Sequence, residues 1–154
     1  MNEPLYLLDT NVLLFLARGG PLGRLIDARF GLRAARQRPL VCVVSHGEVW
    51  VLARRNAWGE EKQAALRNLL DNVVTVDISH PRVIEAYVEL DLASQAHHDG
   101  ARNMGKNDLW IAASARAAGA TLLSTDNDFD HLIPNHLAGI VLDPQDVNPT
   151  VRGR

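Results

Sequence analysis

The sequence contains one cysteine, Cys42. It cannot form an internal disulfide, and its place in the apolar run Leu40 to Val44 makes it a small buried hydrophobe with no redox role. Zinc is poorly served as well. The pair His97 and His98 has no Cys or His partner at ligand spacing, and adjacent histidines on a helix point apart. Long apolar runs are missing. The longest, Val12 to Ala17, is far shorter than the ~20 residues that cross a bilayer, and Glu3 and Asp9 stand where a secretory leader would be basic. These absences predict a cytoplasmic protein with no membrane contact. No repeat, low-complexity tract or interdomain linker interrupts the chain, so one domain is expected over residues 1–143, with 144–154 as a loose tail.

What is present suits a globular domain: 154 residues, 47% hydrophobic and 22% charged, enough to bury a substantial core. Apolar runs of strand length alternate with segments of helical period, the pattern of a parallel sheet with helices on its faces, and the fold class is therefore α/β. The expected strands are Tyr6 to Asp9, Leu40 to Val44, Val73 to Asp77, Thr121 to Ser124 and Gly139 to Leu142. Gly19, Gly20 and Pro21 end a first helix that starts near Asn11, Gly59 precedes a helix over Glu60 to Leu70, and Pro81 suits the first turn of one over Arg82 to Ala96. Trp50 and Trp110 fall within apolar helical patterns, and with Trp58 they are expected in the core or at a subunit contact.

Asp9, Glu48, Asp108 and Asp126 each stand where an expected strand ends or the following helix begins. In a parallel sheet those ends open on one edge, where open α/β folds bind their ligands, so residues far apart in sequence converge there. Carboxylates gathered in this way repel one another, and a hard cation such as Mg2+ or Mn2+ is the simplest remedy. Each acid also has a local explanation. Asp9 would cap a helix, Ser45 to Glu48 matches a capping box, Asp108 would favour a helix N-terminus, and Asp126 would form a turn. None of these explains why all four occur at one sheet edge.

The net charge of −2 gives no overall attraction to nucleic acid, so any contact with phosphate must be local. Lysine is scarce, with Lys62 and Lys106 the only two among sixteen basic residues. Arginine is concentrated between Arg18 and Arg38, where six arginines face one acid, Asp27. Such a stretch, with Arg24 and Arg29 at its centre, serves equally as a phosphate-facing arm, a partner-docking surface or a solvated helix face. The loop before Asp108 offers Arg102 and Lys106 as further phosphate contacts.

The words Leu7-Leu8-Asp9-Thr10-Asn11, Gly47-Glu48, Asn107-Asp108-Leu109-Trp110 and Ser124-Thr125-Asp126-Asn127-Asp128-Phe129, in that order, resemble the PIN domain nucleases. Their spacing and order, with the length of the chain, look like those of the small VapC-type toxins of type II toxin-antitoxin pairs. The resemblance implies a three-layer PIN-like fold, a parallel five-stranded sheet of order 3-2-1-4-5 flanked by helices. It implies a metal-dependent endoribonuclease in which Asp9, Glu48, Asp108 and Asp126 hold Mg2+ or Mn2+, with Asp128 as a fifth acid and Asn11 and Thr125 as polar supports. It further implies an RNA substrate, a cognate antitoxin and a homodimer. Two other phosphoryl-handling classes fit less well. A haloacid dehalogenase-type phosphatase needs a second Asp where Asn11 stands, and a receiver module wants an acid pair before its first helix. A PIN-like module that only binds RNA or a partner stays open, because ligands do not guarantee turnover.

Overall fold

The computed structural model describes residues 3–147. Five short strands form one parallel sheet of order β3-β2-β1-β4-β5: β1 (Tyr6–Leu8), β2 (Leu40–Cys42), β3 (Val74–Val76), β4 (Thr121–Ser124) and β5 (Gly139–Val141). Seven α-helices complete the described residues: α1 (Thr10–Arg18), α2 (Pro21–Phe30), α3 (Val43–Arg55), α4 (Glu60–Asp71), α5 (Pro81–Gln95), α6 (Lys106–Ala118) and α7 (Pro144–Val147), with a 3-10 turn over Asn127–Leu132.

The strand side chains alternate between two cores, as a sheet covered on both faces requires. Leu8, Val41 and Leu123 face one core with Val12, Leu13, Leu66 and Leu70 of α1 and α4. Leu7, Cys42 and Leu122 face the other with Leu90 of α5 and Ile111 of α6. Ala112, Ala113 and Ala115 of α6 are fully buried, and their small side chains let that helix lie close to the central strands.

Strand ends fall short of their expected limits. Asp9 is the N-cap of α1, and Val43 and Val44 belong to the first turn of α3, which leaves β2 with no intervening loop. Val73, Asp77 and Leu142 likewise lie just outside β3 and β5. The Arg-rich stretch contains a helix, α2, folded back on α1 through a left-handed Gly19 (φ 66°), with Gly20 as the next N-cap and Pro21 opening α2. At Gly23 the two helices nearly touch: a Cβ there would stand 2.1 Å from the Phe15 carbonyl oxygen. Of the expected loose tail, Pro144 to Val147 are helical and beside α2, and residues 148–154 lie outside the described ones.

Candidate metal centre

Asp9 is placed by the strand and the helix together. Its backbone N–H donates to the Leu123 carbonyl of β4 at 2.9 Å, which continues the sheet by one residue, and its carboxylate then caps α1 by accepting from the Thr10 N–H at 2.7 Å. The second carboxylate oxygen accepts from the Ser124 hydroxyl at 2.6 Å. Only 4% of Asp9 is exposed. Burial pushes its pKa above the ordinary carboxylate range, the Ser124 and Thr10 hydrogen bonds pull it back, and the charges of Asp126 and Glu48 push it up again.

Glu48 lies in the second turn of α3, where it accepts from the Thr10 hydroxyl at 2.7 Å. With its proton given to Glu48, the Thr10 oxygen accepts from Ser45 at 2.9 Å, so a relay of two hydroxyls holds the carboxylate. The capping-box reading of Ser45 and Glu48 fails. Ser45 is inside α3, whose N-cap is Cys42, and both side chains bond to α1 instead of their own helix end.

Asp126 follows β4 and caps the 3-10 turn, accepting from the Asp128 N–H at 2.8 Å while its own N–H donates to Ser124 at 2.9 Å. Asp108 lies in the first turn of α6. Carboxylate oxygens of Asp108, Asp126 and Asp128 all fall within 4.8 Å of one another. A helix N-terminus would lower the pKa of Asp108, yet it is pushed up to about 7, first by burial and then by the charges of Asp9, Asp126, Glu48 and Asp128. Four other acids thus act on one carboxyl group. The donor set is wholly carboxylate oxygen, which fits a hard divalent cation.

The expected polar supports are differently placed. Asn11 is exposed and Thr125 is half-buried, and the hydrogen bonds to the acids come from their neighbours Thr10 and Ser124. Thr10, Ser45 and Ser124 were not singled out in the sequence as parts of the site.

The arginines divide into two groups. Arg24 donates to the Gly19 carbonyl at 2.7 Å, at the end of α1 remote from Asp9. Arg29 lies over the Phe30 ring, which packs edge-on against Tyr6 at the far end of β1. The structure therefore does not bring Arg24 or Arg29 to the carboxylates. Arg102, by contrast, lines a cleft of about 490 Å3 that shares Asp128 with the acidic cluster, and Lys106 opens α6 two residues before Asp108.

His97 and His98 follow the end of α5 instead of lying on it, and their rings approach to 4.5 Å, which overturns the expectation that they diverge. Trp58 is buried, and Trp110 is half-buried against Tyr87, 4.1 Å between ring centres.

The order 3-2-1-4-5 and the five acids gathered at one sheet edge define an α/β protein with a carboxylate cluster at the end of its central strands. The PIN domain family description matches residues 6–133, and the chain belongs to that family. Ribonuclease VapC2 of Haemophilus influenzae is 25% identical over 130 residues, which cover 83% of this chain and 92% of the relative. Among solved structures, VapBC2 from Rickettsia felis, bound to a DNA fragment from its promoter, superposes with a TM-score of 0.72 at 22% identity, covering 90% of this chain and 99% of that one. VapBC-5 from Mycobacterium tuberculosis gives a TM-score of 0.64 at 22% identity, covering 90% and 100%. At these identities the two structures establish the likeness of fold.

Proposed function

We propose that the protein is a Mg2+- or Mn2+-dependent endoribonuclease and the toxin of a toxin-antitoxin pair. The observation that carries this reading is the convergence of Asp9, Glu48, Asp126 and Asp128 on Asp108, whose pKa is pushed up to about 7. Membership of the PIN domain family and similarity to a protein named as a VapC ribonuclease support it. Asp9, Glu48, Asp108 and Asp126 would hold the cation, with Asp128 as a fifth ligand. Bound there, it would supply Lewis acidity, activating water for attack on the phosphodiester and screening charge that develops on the phosphoryl oxygens.

The chain's own residues prepare that centre. Ser124 and the Thr10 N–H fix both oxygens of Asp9, and the Thr10 hydroxyl fixes Glu48, so neither carboxylate needs to reorganise. With its pKa pushed up to about 7 by burial and the neighbouring carboxylates, Asp108 would ionise more readily beside a positive charge. Arg102 and Lys106 would meet the RNA phosphates. The reading includes a cytoplasmic location, a homodimer and an antitoxin protein; the similar VapBC structures support the antitoxin.

Incubation of a mixed RNA pool with the protein and Mn2+ or Mg2+ should give cleavage that EDTA abolishes. The Asp9→Asn, Asp108→Asn double variant should lose it by orders of magnitude while keeping the wild-type circular dichroism. A wild-type protein that binds RNA or a partner without cutting would instead be the silent module considered above.

A further inference from the structure

We propose that the cleft beside the carboxylates is a nucleoside subsite that seats one unpaired base next to the scissile phosphate, with His131 as its stacking platform. This rests on the endoribonuclease reading and adds where the substrate lies and in what form. The cleft, at about 490 Å3, falls among ordinary ligand pockets. Because Asp128 belongs both to its lining and to the acidic cluster, an occupant adjoins the carboxylates.

His131 forms part of the wall and is held in place from two sides. The Ser94 hydroxyl stands 2.8 Å from its Nε2, and the His97 ring stacks on it with 5.5 Å between centres and 20° between planes. A flat ring immobilised in this way is what an unstacked base requires, and histidine is among the side chains on which splayed RNA bases stack. Arg102 lines the same cleft, on a loop tied to α5 by its N–H to the Ser94 carbonyl at 2.8 Å.

The remaining lining decides which part of the nucleotide enters. Asp130 repels a phosphate inside the cleft and, like Asp128, accepts readily from base amino groups. The phosphate is therefore left to Arg102 and to a cation held by the acidic centre, and the base goes inward. Asn103 and Asn127 add amides that match base edges. A base locked within a duplex cannot reach this wall, so the substrate is single-stranded or looped RNA.

Steady-state cleavage of short oligoribonucleotides, single-stranded and annealed, tests the subsite in wild type, His131→Ala and His131→Phe. His131→Ala should raise KM about tenfold with a much smaller fall in kcat. His131→Phe, which keeps a flat ring but not the hydrogen bond to Ser94, should return KM to within about threefold of wild type. The annealed substrate should be cut poorly by all three. Two results would overturn the proposal: an unchanged KM in His131→Ala, or a His131→Phe variant as impaired as His131→Ala, which would make the Ser94 contact the sole role of the ring. If the wild type cuts no RNA, the endoribonuclease reading fails by itself. Fluorescence anisotropy of a labelled oligoribonucleotide then decides the subsite, and equal Kd values for wild type and His131→Ala would overturn it.

Discussion

Asp9 depends on its neighbours for the right to be charged while almost wholly buried. Ser124 donates to one oxygen and the Thr10 N–H to the other. Removing the hydroxyl in Ser124→Ala leaves burial less opposed, so the pKa of Asp9 should rise further and its aim should loosen. The expected cost is about 1–3 kcal/mol in urea unfolding together with a clear fall in kcat. A variant with wild-type values of both would remove Ser124 from the site. The gathering of the acids at one sheet edge was legible in the sequence because each stands near the end of an expected strand or the start of the following helix. Their supports were displaced by one position, to Asn11 and Thr125, because spacing does not say which of two adjacent polar residues turns inward. That is decided at the end of β1 and β4, where Thr10 and Ser124 are buried.

At the scale of elements, the five strands and their helices followed from alternating apolar runs and helical periods, and the errors collect at junctions. Val43 and Val44 continue the apolar run of β2, so their helical state is invisible to a pattern that reads hydrophobicity alone. The Ser45 to Glu48 spacing fits a capping box equally well one turn inside a helix, and only the contact with Thr10 distinguishes the two. The α1–α2 hairpin makes a separate demand. Gly23→Ala would drive a Cβ into the Phe15 carbonyl, so the helices must part, and a loss of about 2 kcal/mol or more in unfolding free energy is expected. Gly20→Ala, one of its neighbours with open space around its Cα, is the matched control and should cost much less by the same measurement.

For the whole molecule, the crowding of carboxylates should make stability depend on pH and on divalent ions. The pKa of Asp108 is raised from 3.8 to about 7 on folding, so the stability it contributes is fully present below about pH 4 and is lost as pH rises through 7. The metal-free protein should therefore melt several degrees lower at pH 8 than at pH 5, and Mn2+ or Mg2+ should restore the loss by mass action. Asp108→Asn should flatten this pH dependence. At pH 8 in EDTA it should melt at or above the wild type, while losing most of the rise produced by Mn2+. Thermal melts of both proteins in EDTA, Mn2+ and Mg2+ check this. Equal destabilisation of the variant in all three would leave Asp108 only a helix N-terminal role. The sheet order has a consequence of another kind. The strand that leads into Asp9 is the first of the five made, and its central partner β4, with Ser124 at its end and Asp126 just beyond, is the fourth. A growing chain on the ribosome is surrounded by RNA, yet it carries no complete acidic centre until residue 126 has emerged and β4 has docked beside β1. The connectivity thus delays the proposed nuclease activity until β4 and the turn after it have been made and docked beside β1.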